Sequence, residues 1–173
     1  MNLPVRAGVL LGLLLLCRAV PASADPLPEL PGSQRVGAGV LTWFGITVYE
    51  ASLYAEHGRY APARPHALKI DYRLGFTARQ LAERSLDEIE RMHGEQADRE
   101  DLVAGLQAVF RDVQAGDHLL GVHYPGRGAD FYSAGRLLGR LERPRLAAMF
   151  FDIWLDSATS EPGLRRQLLG TGS

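Results

Sequence analysis

Five histidines, at 57, 66, 93, 118 and 123, are the residues best suited to hold a metal or to move a proton at neutral pH. Their spacing supplies no metal motif. There is no HExxH and no paired HxH, and His118 and His123 are an odd number of residues apart, which sends them to opposite faces of a strand. The serines at 33, 52, 85, 133, 157 and 160 include no GxSxG elbow. The acidic run LDEIER, residues 86–91, has a helical phase that places its carboxylates mostly opposite Leu81, Ser85 and Ile89. It reads as a solvated face paired with Arg84 and Arg91. The glycines are scattered at turns, so no phosphate loop is present. No metal and no cofactor is expected.

What remains is an aromatic and hydroxyl-bearing set: Trp43, Tyr49, Tyr54, Tyr72, Phe131, Tyr132 and Trp154. A tyrosine in an apolar layer can donate to a carboxylate or enolate oxygen. It can equally be core, with its hydroxyl at the rim.

The elements that would position these residues follow from periodicity. GAGVLTWFGITVYEASLYA, residues 37–55, alternates with period two and carries Gly45 at a bend or bulge, giving two short strands or one long bent one. Its two faces are nearly equal in apolarity, which predicts that both are covered. ALKIDYRL, residues 67–74, is a strand with one wet face. From Phe76 the period turns helical. Thr77 and Gln80 form a capping box, and Gly94 ends the helix. A second helix is expected from Arg99 to Ala115, stopped by Gly116. HLLGVHY, PGRG and ADFYSAGRLLGRLE read as strand, turn, strand, turn, strand, with Ala134-Gly135 as the second turn. A mostly buried helix begins near Pro144, and Ser160 can cap a last short helix closed by Gly170. The order β-β-β-α-α-β-β-β-α-α is an α+β arrangement, a mainly antiparallel sheet with helices packed over one face.

Residues 1–24 read as a secretory signal: Arg6, an apolar run from Ala7 to Cys17, and Ala22-Ser23-Ala24 before the cut. A lipoprotein signal at Cys17 is the rival, although Leu16 is bulkier than such processing favours. The apolar run is too short for a permanent membrane span. Residues 25–173 then form a single domain in the periplasm or outside the cell. The whole chain has a formal charge of −1, and loss of Arg6 and Arg18 makes the mature part more acidic. That disfavours nucleic acid, which needs a concentrated basic face. Cys17 is the only cysteine and leaves with the signal.

Four segments in order, GAGVLTWFGITVYEASLYA, GDHLLG, FYSAGRLLGRL and FFDIWLDSATSEPGLRRQLLG, resemble the bacterial chalcone-isomerase-like proteins over roughly residues 36–170. Exported members occur in that family. The resemblance implies a long antiparallel sheet with helices over one face and a ligand cleft between the two layers. Plant enzymes of the broader family close a chalcone to a flavanone by intramolecular oxa-Michael addition, whereas related members bind fatty acids without catalysis. Both use a cleft arginine, which in many relatives follows the glycine motif as GAGxR.

Here the matching position is Leu41. Arg35 lies six residues earlier and is no simple replacement. Tyr49 aligns near a catalytic threonine of the plant enzymes, but their later tyrosine and asparagine find no match in residues 76–97, and no asparagine follows Asn2. Catalytic residues therefore stay unassigned. An anion in a dry cleft needs a positive charge or several donors, and leucine supplies neither. The expected ligand-binding residues are Leu41, Trp43, Tyr49, Tyr54 and Tyr72, with Arg73 able to reach the mouth. The reading that follows is an exported, non-catalytic binder of an apolar or amphipathic small molecule such as a fatty acid. The alternatives are an isomerase or lyase of the chalcone isomerase type, with tyrosines polarising a carbonyl, and a structural protein with an envelope protein as partner.

Overall fold

A computed structural model describes residues 27–172. The proposed signal segment, residues 1–24, and with it Cys17, lies outside them. The element order is β1 (Ser33–Trp43), β2 (Ile46–Glu56), β3 (His66–Tyr72), α1 (Ala78–His93), α2 (Arg99–Gln107), β4 (His118–Tyr124), β5 (Gly128–Ser133), β6 (Arg136–Leu141), α3 (Pro144–Leu155) and α4 (Pro162–Leu168). The six strands form one sheet in sequence order, and every neighbouring pair is antiparallel. All four helices contribute buried residues to one large core on a single face of that sheet. The α+β architecture read from the sequence is the one observed.

Local chemistry explains the boundaries. Thr77 accepts from the Gln80 backbone N–H while the Gln80 side chain accepts from the Thr77 N–H, and Gly94, at φ 83°, closes α1. The β1–β2 and β5–β6 hairpins turn through two residues each, Phe44-Gly45 and Ala134-Gly135, all four with positive φ. That is the type I′ geometry whose twist matches paired strands. The stretch 37–55 is therefore two long strands of a hairpin, with Gly45 in its turn.

Four expectations are corrected. The second helix ends at Gln107 rather than Ala115, because Val113 exchanges both backbone hydrogen bonds with Phe76 and is pulled into an extended bridge. Ser160 does not cap α4; its hydroxyl donates to Glu88 Oε2 instead, and Pro162 opens the helix. Glu88 is not on a solvated face: it is buried, bonded to Arg84, Arg91 and Ser160 where the 156–160 loop crosses α1. The faces of the first hairpin are not both covered, since Val40 is exposed on the face away from the helices and residues 42–47 are exposed where the strands run past the helical layer.

The far face of the sheet carries a smaller cluster. Tyr54, Ala67, Leu120 and Val122 are buried there against Leu27 and Leu30 of the lead-in segment. The helix-side core is larger and holds the residues of interest.

Candidate functional site

Antiparallel register aligns three of the expected residues in one row. Leu41 of β1 faces Tyr49 of β2, and Tyr49 faces Tyr72 of β3. Paired residues share a face, so all three point toward the helices. The two tyrosine rings meet edge-on with centroids 6.3 Å apart, and Phe76 meets Tyr72 in the same way at 6.1 Å. Leu41 and Tyr49 pack on the main core, where Tyr72 is buried.

Helix α3 closes this row. Its apolar stretch brings Trp154 over Tyr49, and the indole Nε1–H donates to the Tyr49 hydroxyl at 2.9 Å. The hydroxyl oxygen is thereby used as an acceptor, and its own O–H has no acceptor among the described residues. Burial pushes Tyr49 up to about 12, the Trp154 hydrogen bond opposing the shift only in part. Burial raises Tyr72 as well. Both phenols are neutral donors over the whole physiological range.

Helix α4 forms the adjoining wall, and the glycines of the GAG motif let it approach. A Cβ on Gly37 would lie 2.6 Å from the carbonyl oxygen of Leu168, and one on Gly39 would lie 2.7 Å from Leu164 Cδ1. Gly37 and Gly39 pair with Leu53 and Ala51, so both sit on the helix side of the sheet. The motif thus has a packing role: it seats α4 directly on the β1 backbone, one step from Leu41.

The other expected residues lie elsewhere. Tyr54 is five residues from Tyr49, an odd number, and is buried in the far-face cluster under Leu27 and Leu30. Trp43 stands at the end of β1, two residues beyond Leu41, where the hairpin has left the helical layer. Neither joins the row. Arg73 pairs with Glu50 at 3.5 Å, and Arg35 faces Tyr54 across β1 and β2; Glu50 and Tyr54 are both on the far side of β2. No guanidinium therefore replaces the one that Leu41 lacks among these candidates. Trp154 is the member of the site that sequence reading named only as part of an apolar layer. It is 105 residues from Tyr49, and nothing in either local pattern pairs them.

Two further clusters are separate from the row. His66 and His123 face each other across β3 and β4, buried beneath Phe151. His66 Nδ1 lies 2.9 Å from the Arg64 carbonyl, which can only accept, so His66 Nε2 is the acceptor for His123 Nδ1–H at 3.4 Å. That leaves His123 Nε2 buried without a partner. Burial, then the charge of His66, pulls His123 down to about 4. No group of three or more metal-ligating side chains occurs among the described residues.

The second cluster lines a cavity of about 390 Å³ at the β4–β5 end, among Tyr124, Arg127, Asp130, Arg140 and Glu142. Arg127 stacks 3.8 Å over the Tyr124 ring, and Asp130 is shared by Arg127 and Arg140. This lining is too charged for an apolar tail, and the meander places it at the opposite end of the sheet from Phe44-Gly45.

The architecture defines a class: a six-stranded antiparallel meander with its helical layer, and a tyrosine row sealed between them. Residues 34–170 match the family model described as chalcone isomerase-like, and the chain belongs to that family. The fold is also that of a solved fatty-acid binding protein from Arabidopsis thaliana, with a TM-score of 0.62 at 14% identity, over 87% of this chain and 94% of that one. Among curated proteins none matches the sequence.

Proposed function

We propose that this protein is a non-catalytic binder of an apolar or amphipathic small molecule, with a long-chain fatty acid as the model ligand. The ligand lies between strands β1–β3 and helices α3–α4. The observation that carries this reading is the Leu41–Tyr49–Tyr72 row under Trp154: apolar walls, neutral phenol donors, and leucine where a guanidinium could stand. As the layer stands, Trp154 seals it, so a ligand enters by displacing the indole. A carboxyl group then takes over the Tyr49 hydroxyl as its donor. Fatty-acid binding by the Arabidopsis protein supports the choice of ligand class.

The same site argues against chalcone cyclisation. That reaction needs a phenolate nucleophile, and an anion in a dry layer needs a compensating charge. Leucine at position 41 provides none, and a phenol held near 12 is a poor base at neutral pH.

The reading extends to location. The pattern of residues 1–24 supports export, so the ligand would be met in the periplasm or outside the cell. Native mass spectrometry of the purified mature chain, with solvent extraction of bound lipid, tests the binding reading. A one-to-one adduct that extracts as a long-chain acid is expected. A chain that stays empty after incubation with excess fatty acid overturns it.

A further inference from the structure

The β1–β2 hairpin ends in a feature that folding alone does not require. Phe44 occupies a left-handed turn position, φ 46°, where glycine, asparagine or aspartate is preferred. Phe44 is 87% exposed, Trp43 beside it 70%, Ile46 59% and Val40 47%. The Trp43 and Phe44 rings touch only each other among aromatic neighbours, at 5.0 Å between centroids. An aromatic residue placed in a strained turn and left in water gains nothing for the isolated chain. No charged residue occurs from Val36 through Tyr49, and the first beyond, Glu50, is paired with Arg73.

We propose that this hairpin tip inserts Trp43, Phe44 and Ile46 into the interfacial region of a lipid bilayer. Size favours a membrane over a protein partner. The four exposed side chains present roughly 500 Å², short of the ~800 Å² per partner that a stable protein interface buries. The residue types fit as well, since tryptophan and other large apolar side chains settle at the headgroup boundary. A charge-free hairpin crosses that boundary without carrying an ion into it. The tip also stands near the Leu41–Tyr49–Tyr72 row, about 7–10 Å away at the rise of an extended strand. Insertion would bring the sealed layer to the membrane surface. This inference does not rest on ligand binding, and it is tested on protein stripped of lipid.

The experiment uses the mature chain and vesicles of phosphatidylcholine, with and without anionic phosphatidylglycerol. Trp43 and Trp154 are the only tryptophans, and Trp154 is buried, so a vesicle-induced blue shift reports Trp43. We expect a blue shift on both vesicle types, little dependence on salt, and quenching by shallowly brominated lipid. Phe44→Asn suits the turn and keeps the fold; it should weaken partitioning at least tenfold, as should Trp43→Ser read by co-sedimentation. Absence of a shift and of co-sedimentation overturns the proposal. So does binding that is unchanged in Phe44→Asn, or a wild-type dimer in solution that Phe44→Asn dissociates, which would assign the tip to a protein contact.

Discussion

Trp154 and Tyr49, one on α3 and one on β2, are joined by an indole N–H···O hydrogen bond of 2.9 Å across the interface of helices and sheet. The bond fixes the closed state of the layer and orients the phenol. It leaves Tyr49 with a proton to give, and in the proposed binding Trp154 is the residue a ligand would displace.

Tyr49→Phe removes the acceptor and leaves the Trp154 N–H in a nearly dry layer. The loss should be about 1–3 kcal/mol of folding stability, measured by urea unfolding. Affinity for a long-chain acid should fall while affinity for a long-chain alkane is retained. Equal losses for both ligands would show that Tyr49 shapes the layer without contacting a headgroup.

Leu41→Arg restores the cation that many relatives carry. Because residue 41 lies beside Tyr49 in the register, its guanidinium should stabilise an anionic headgroup. Affinity for a fatty acid at neutral pH should rise at least tenfold, with no gain for its methyl ester. An unchanged affinity in a folded variant would mean that the headgroup sits elsewhere.

The fold was largely legible because its signals are local. Thr77 with Gln80, Gly94, Ala134-Gly135 and the switch from period two to period 3.6 each mark their element within a few residues. The end of α2 was not, because the bridge between Val113 and Phe76 is set by a segment 37 residues earlier. For the site, parity along β2 separates Tyr54 from Tyr49, an odd number of residues away. The pairing of Leu41 with Tyr49 had no such signal: a regular two-residue hairpin would set Leu41 opposite Val48, and the register shift between Leu41 and Thr42 brings Tyr49 there instead. Trp43 shares the helix-facing phase of Leu41 yet lies outside the site, because the reach of the helical layer along β1 is a tertiary fact. The Trp154–Tyr49 bond had no signal in either segment.

Gly39→Ala tests the seat of α4. The added methyl would press on Leu164 and the Gln167 side chain, at a cost of about 1–3 kcal/mol for an overpacked site, read from thermal unfolding. Ala38→Gly, on the opposite face, is the control and should lose no more than about 1 kcal/mol from backbone freedom. Equal effects at the two positions would remove the close-approach explanation of the motif.

The buried histidine pair predicts acid sensitivity. His123 is held down to about 4, and His66 is lowered too, both by burial. The unfolded chain, at about 6.5, binds the proton first as pH falls. The stabilising contribution is therefore complete above about pH 6.5 and is lost between there and pH 4, on the order of 3 kcal/mol for His123. Chemical unfolding from pH 7 to pH 4 should show this slope, and His123→Phe should flatten it. An unaltered slope in that variant would place the sensitivity in carboxylates such as Glu88.

The central claim, a layer that accepts an amphipathic ligand through a neutral donor, is tested most directly by titrating residues 25–173 with a long-chain fatty acid across pH. Binding would be followed calorimetrically. With a phenol donor held near 12 and leucine rather than arginine at position 41, the neutral acid should bind in preference to the carboxylate. The account predicts one-to-one uptake that weakens as the ligand ionises, with Tyr49→Phe reducing the affinity at low pH. No uptake at any pH, or affinity that rises as the ligand becomes anionic, would contradict it.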